Sequence, residues 1–434
     1  MKSASLLLFL AITAAPAQAR LAANEQKIVR TVEAEKDRSI SLLERLVNQN
    51  SGSLNQAGVE AVGRMMRSEL EPLGFEVKWI PMTETGRAGH IVATHRGNGK
   101  GKRMLLIGHL DTVFEPDSPF QRFERRGDKA AGPGAGDDKG GMVVMVAALR
   151  AMQSAGTLAN ADIEIVLTGD EEDNGNPIDI ARRDLIAAGK RADVALDFEG
   201  LAQEDGLDMG SIARRSSGAW EIRATGKSAH SSGIFSAASG DGAVYELARI
   251  LAAFRTELPE PNLTFNVGLV VAGTTASLDE GKIRGTATGK TNIIPPIAIA
   301  RGDIRTLSRE QNERVMAKMK QIVSNNHLQG TNAEIVFDPD FYPPMAPTEG
   351  NRTLLDRLNA VNRDLGLAEM GALDPLKRGA GDISFVAEDV DGLVGLGAAS
   401  DGDHTPAEVV DLVSMDRQAK RAAILMSRLG SRPD

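Results

Sequence analysis

Four apolar runs in this chain each lead into a polar side chain able to bind a metal. Met104-Leu105-Leu106-Ile107 leads into Gly108-His109-Leu110-Asp111-Thr112-Val113, and Ile163-Glu164-Ile165-Val166-Leu167 is followed by Asp170-Glu171-Glu172. Asp193-Val194-Ala195-Leu196 leads to Asp197-Phe198-Glu199, and Leu393-Val394-Gly395-Leu396-Gly397 precedes His404. Helical stretches stand between the strands, at 141–155 closed by Gly156 and at 178–188 closed by Gly189. Buried strands alternating with helices predict an α/β fold, a mainly parallel sheet with helices on both faces. Ligands of such sheets gather beyond the carboxyl ends of the strands, so the four polar groups are expected at one rim.

The rest of the chain divides around this pattern. Residues 24–50 and 56–73 read as helices, the second stopped by Gly74, and 75–80 and 90–94 read as strands. After residue 208 the rhythm changes. Strands at 219–224, 267–271 and 298–304 and helices at 241–254 and 308–324 suit a small split β-α-β layer, with a further hairpin near Gly281. A strand at 393–396 and a long helix at 407–429 return to the first style. The expected plan is one domain over 20–208 and 325–434, interrupted by a smaller domain over 209–324. A length of 434 residues, too long for one core, agrees with two domains.

Charge and composition narrow the partners. A net charge of −9 without a basic block argues against nucleic acid and against anionic membrane surfaces. Aromatic content of 4% leaves little material for stacking on bases. At the amino end, Lys2, an apolar stretch at 6–15 and Ala17-Gln18-Ala19 form a cleavable signal peptide pattern over 1–19. The apolar stretch is short for a membrane span. Without cysteine there is neither a lipid-bearing Cys nor a disulfide framework. The expectation is a periplasmic or secreted protein.

The polar strand ends carry the chemistry. Three successive acids after an Ile/Val/Leu strand repel one another unless a cation is near. The loop Gly132-Pro133-Gly134-Ala135-Gly136-Asp137-Asp138-Lys139-Gly140-Gly141 opens into a helix, but it lacks the Gly-Lys-Ser/Thr ending of a phosphate loop, and its aspartates repel phosphate. Two histidines and at least three carboxylates suit two zinc ions, with cobalt or manganese also compatible. A shared carboxylate would hold two ions roughly 3.5–4 Å apart, the spacing that activates water against a polarised carbonyl. A further, unligated carboxylate is needed as general base. Asp197 and Glu199 close the same strand, and strand parity does not separate them.

As an ordered set, Gly-His-x-Asp-Thr-Val, Asp-Asp-Lys-Gly-Gly, Asp-Glu-Glu, Phe-Glu and a late His resemble a known family. It is that of the co-catalytic zinc peptidases and amidohydrolases, including glutamate carboxypeptidase, aminoacylase and succinyl-diaminopimelate desuccinylase. Gly132-Pro133-Gly134 is most similar to the glutamate carboxypeptidase branch. The resemblance covers the chain from about residue 20 onward. It implies a di-zinc exopeptidase-type domain with an inserted ferredoxin-like lid that also dimerises.

Carried over by motif, His109, Asp137 and Glu199 would bind one zinc, and Asp137, Glu172 and His404 the other. Glu171 would be the general base and Asp111 would orient His109. The Asp137–Asp138 bond would be cis. Gly226-Lys227-Ser228-Ala229-His230 resembles the lid motif whose histidine reaches across a homodimer to the neighbouring site. Asn292, Arg305 and Gly381 match substrate-binding positions. Leu110, Asn174-Gly175-Asn176, Ile234-Phe235-Ser236 and the stretch 274–288 depart from the closest pattern, which bears on substrate preference. The implied activity is hydrolysis of an amide or peptide bond next to an amino acid with a free α-carboxylate, foremost as a glutamate-type carboxypeptidase. The alternatives are an N-acyl-amino-acid deacylase or dipeptidase, and, in another class, a metal-free binding protein on the same fold.

Overall fold

A computed structural model describes residues 21–431; the expected signal peptide, 1–19, lies outside the described residues. The main sheet has six strands in the order Glu76–Pro81, Gly89–His95, Asp162–Thr168, Arg103–His109, Val194–Asp197, Gly392–Val394. Arg103–His109 is central and runs parallel to both neighbours. Gly392–Val394 is parallel to Val194–Asp197. Gly89–His95 alone runs against its two neighbours, which makes the sheet mixed. The three adjacent parallel strands therefore end side by side, and the segments carrying His109, Asp170-Glu171-Glu172 and Asp197-Phe198-Glu199 leave the sheet at one edge.

Helix Lys139–Ala155 follows the glycine-rich loop and is buried from Lys139 through Met152. Such all-round burial fits its all-round apolar sequence. It packs between Ala23–Ala34, Lys36–Val47 and Leu412–Leu429. The charged stretch at 24–50 is two helices, because Glu35 leaves helical dihedrals (φ −98, ψ 11). The stretch 178–188 also splits, into Ile178–Ala181 and Arg183–Arg191. Gly189 lies inside the second helix instead of closing it. A Cβ there would stand 2.5 Å from Val386 Cγ1, so this glycine serves close packing. The last helix starts at Leu412 instead of 407, because the Asp411 side chain accepts from Val413 N and Ser414 N as its cap.

The inserted unit is an antiparallel sheet ordered Thr264–Gly273, Ile297–Arg305, Gly218–Thr225, Asn332–Phe337. Helices Ala243–Glu257 and Arg309–Ser324 pack on it around Trp220, Leu247, Ile250, Phe254 and Met319. This is the split β-α-β arrangement. Its fourth strand lies beyond residue 324, the boundary read from sequence. That strand follows a polar stretch and buries only Ala333, Ile335 and Phe337, and those only partly, so its apolar alternation is weak. At the other end, Leu207–Gly210 pairs with Ala202–Glu204 and Gly371–Ala372, so the small sheet begins at Gly218 and not at 209. The further hairpin is Thr275–Leu278 with Gly285–Thr288, turning around Gly281.

Glu246 anchors this unit. Its buried carboxylate accepts from Arg249 Nη2 (2.6 Å), Leu328 N (2.8 Å) and Thr331 Oγ1 (3.1 Å), and contacts His327 Nδ1 (2.9 Å). Burial opposes its ionisation, but these partners hold its pKa at about 2. A depressed carboxylate stabilises above its unfolded pKa and loses that effect as pH falls through the folded one. Glu246→Gln is therefore expected to cost about 2 kcal/mol at neutral pH. The difference from wild type should shrink as pH drops from 4.5 toward about 2. Urea unfolding followed by Trp220 fluorescence in a Trp79→Phe background measures this; a pH-independent difference would contradict it.

Candidate metal centre

Asp137 sits at the centre of the converging strand ends. One carboxylate oxygen lies 3.0 Å from His109 Nε2 and the other 3.1 Å from His404 Nε2. His404 Nε2 is also 3.1 Å from Glu172 Oε2. The ligand atoms of His109, Asp137 and Glu172 lie within 4.8 Å of one another, as do those of His109, Glu171 and Glu199. The expected cis bond is present between Asp137 and Asp138.

The donor set fits divalent cations. His109 Nδ1 faces the Asp111 carbonyl oxygen at 3.1 Å and its side-chain oxygen at 3.3 Å, while Nε2 faces Asp137. Burial opposes a charge on His109, but Asp111 and Asp137 raise its proton affinity well above the ordinary value, so both ring nitrogens face acceptors. A divalent cation between Nε2 and Asp137 would take the place of the Nε2 proton. Glu172 Oε1 is buried without a partner.

Proton affinities follow the crowding. Burial, then Glu199, pushes Glu171 well above the usual carboxylate range. Burial pushes Glu172 to about 7. Contacts with Asp137 and Glu172 push His404 to about 11. Burial opposes the charge on Asp137, yet His109 and His404 hold its carboxyl well below the ordinary range.

Several supports have no local sequence signal. Asp111 Oδ1 accepts from Glu171 N (3.0 Å), and Oδ2 accepts from Glu172 N (3.1 Å) and Ser53 Oγ (2.6 Å). Asp111 thus fixes the acidic loop as well as the imidazole. Glu408 accepts from Gly134 N (3.3 Å), Gly136 N (2.8 Å) and Asp137 N (3.2 Å). The glycine-rich turn is an anion-binding concavity filled by the chain's own carboxylate. Its strand Lys129–Ala131 pairs with Val409–Asp411, which pairs in turn with Ser400–Asp401. This small sheet delivers His404, in a turn with φ +63, to Asp137.

Glu199 is the residue gathered with His109 and Glu171. The strand ends at Asp197, so parity does not govern Glu199. Asp197 Oδ1 accepts from Glu199 N at 3.1 Å and caps the turn that presents it. Glu199 Oε2 accepts from Arg214 Nη1 at 2.6 Å, and Arg214 also donates to Gly379 O (2.7 Å) and Ala380 O (2.5 Å). A Cβ at Gly381 would lie 2.3 Å from Arg214 Nη1 and 2.9 Å from Glu199 Oε1, so any larger residue would have to displace that ion pair.

Arg305 ends its strand near the same loop; a Cβ at Gly379 would stand 3.5 Å from its Nη1. Its Nε is 3.3 Å from Asp303 Oδ2. His230 and Asn292 lie together on the inserted unit, outside the groups gathered at His109. His230 bridges to Ile293 and its exposed ring contacts Ser232, while Asn292 O accepts from Ser231 N.

Comparisons with known proteins give the family and the fold. Residues 105–428 match the sequence model of Peptidase family M20/M25/M40. Carboxypeptidase G2 of Pseudomonas sp. (strain RS-16) is 28% identical over 399 residues, covering 90% of this chain and 89% of that protein. A tripeptidase from Staphylococcus aureus superposes with a TM-score of 0.71 at 18% identity, covering 91% of this chain and 98% of that one. A Bacillus subtilis protein described as a dinuclear metal binding peptidase superposes with a TM-score of 0.65 at 17% identity, covering 92% and 99%.

Proposed function

Because this chain belongs to Peptidase family M20/M25/M40 and is a hydrolase of that family, we propose that it is a zinc-dependent carboxypeptidase releasing glutamate or a similar amino acid from an amide. The observation that carries the reading is Asp137, set between His109 and His404 at 3.0 and 3.1 Å, with the Glu171 carboxylate gathered at His109. The likeness to carboxypeptidase G2 supports the substrate class. Succinyl-diaminopimelate desuccinylases among the relatives favour N-acyl-amino-acid deacylation as the second reading.

His109, Asp137 and Glu199 would hold one zinc ion, and Asp137, Glu172 and His404 the second. When bound, such a pair polarises the scissile carbonyl and makes water a better nucleophile. Glu171 takes a proton from the attacking water as its oxygen bonds to the carbonyl carbon. It delivers that proton to the nitrogen as the C–N bond breaks. The Glu171 carboxylate makes no hydrogen bond among the described residues, which leaves it free for this work. Arg305 and, from a second copy as with His230, Asn292 bind the free carboxylate of the substrate, a task suited to a guanidinium fork. His230 serves the site of a second copy in a homodimer, which accords with its place away from His109. The protein acts outside the cytoplasm after loss of residues 1–19, on small peptide or N-acyl amino acid substrates.

Metal analysis should find about two zinc ions per chain. Chelation should abolish turnover and lower stability, by about 4 kcal/mol relative to metal at a thousandfold excess over its Kd. Folate-type glutamyl amides, N-acyl amino acids and dipeptides should be compared by kcat/KM. Fastest cleavage of glutamyl amides supports the carboxypeptidase reading, and fastest cleavage of N-acyl amino acids supports deacylation. A metal-loaded protein inactive on all three would overturn both.

A further inference from the structure

The main chain crosses to the inserted unit twice, at 211–217 and 338–345. The crossings are bonded to each other: Arg214 pairs with Met345, and Ser217 with Tyr342, through backbone hydrogen bonds of 2.9–3.0 Å. Tyr342 is one of two tyrosines in the chain and is buried. Its hydroxyl donates to the Glu171 carbonyl oxygen at 3.0 Å and accepts from Arg182 Nη2 at 2.8 Å. Arg182 is fully buried. It also donates to Asp170 Oδ1 (2.6 Å), Asp170 O (3.0 Å) and Asp382 Oδ1 (2.7 Å). Its partners thus lie on the acidic loop, on the glycine-rich segment 379–382 and on the hinge.

The peptide groups around Glu171 are held from both sides. Its N–H goes to Asp111 and its C=O receives Tyr342. With no bond to the carboxylate itself, the place of that carboxylate is set through the main chain. We propose that Tyr342 is a positioning residue that couples the hinge of the inserted unit to the general base, through its hydroxyl on the Glu171 carbonyl and on Arg182. The proposal rests on Glu171 being the base. The crossing segment 338–345 and the loop 170–172 thus meet through one hydroxyl. Burial, the largest influence, drives the phenol well above its ordinary pKa, so it stays a donor at neutral pH.

Tyr342→Phe keeps the ring, its edge contact with Phe385 at 4.9 Å and the backbone pair with Ser217. Loss of the hydroxyl should raise hydrogen exchange in the segment 169–175 by about tenfold, the equivalent of one hydrogen bond. With the metals retained, kcat should fall about tenfold while KM changes less than about twofold, as expected of a displaced base. Phe385→Leu removes the packed ring and its contact with Arg182, 5.5 Å from the ring centroid, but keeps the hydroxyl, and should give smaller effects than Tyr342→Phe on both counts. The proposal is overturned if Tyr342→Phe leaves exchange of 169–175 unchanged, or if Phe385→Leu reproduces both effects. A wild-type protein that hydrolyses none of the amide panel would defeat the functional reading instead, and hydrogen exchange would still decide the link between hinge and loop.

Discussion

Glu171→Gln should retain its metals and its fold while kcat falls by about 10³–10⁴-fold, near the upper range for removal of a general acid–base group. Gln keeps the size of Glu and the backbone bonds to Asp111 and Tyr342, so the loop should stay in place. It does not accept and return a proton. Because Glu171 would act on the reacting water and not on substrate binding, KM should barely move. Metal content together with steady-state kinetics checks both halves. Residual activity within tenfold of wild type would move the proton transfer to another group.

Asp137→Ala should act on the metals first. The carboxylate is the one group facing both His109 and His404, and without it neither half of the site keeps its donor set. Content should fall below about one ion per chain, and turnover should fall by more than the 10–100-fold typical of outer-shell changes. With its ions largely lost, the variant should be destabilised by chelation far less than wild type. Two ions retained per chain in this variant would show that Asp137 is not shared.

The donor positions were legible because each follows a recognisable strand or glycine-rich turn, and a parallel sheet converts those positions into one rim. The supports were not. Ser53 reaches Asp111 across 58 residues, and Glu408 reaches Gly136 across 272. No local periodicity encodes such meetings. Ala407 and Glu408 look like the start of the last helix, yet Glu408 turns into the glycine-rich loop and Asp411 starts the helix four residues later. The choice between Asp197 and Glu199 was closed to parity because the strand stops between them. Tyr342 and Arg182 carry no motif; their role exists only where hinge and acidic loop touch.

The pairing of Lys129–Ala131 with Val409–Asp411 also orders events in time. A ribosome releases His109, Asp137, Glu172 and Glu199 well before His404, with about 200 residues between the last two. At 5–20 residues per second that interval is roughly 10–40 s. Through it Glu408, which holds the turn carrying Asp137, is also missing from the nascent chain. A chain cut short before Val409 lacks the strand that brings His404 to Asp137. The same cut removes helix Leu412–Leu429, which packs on Lys139–Ala155, so the arrival of His404 at Asp137 and the closing of the core are one late event of synthesis.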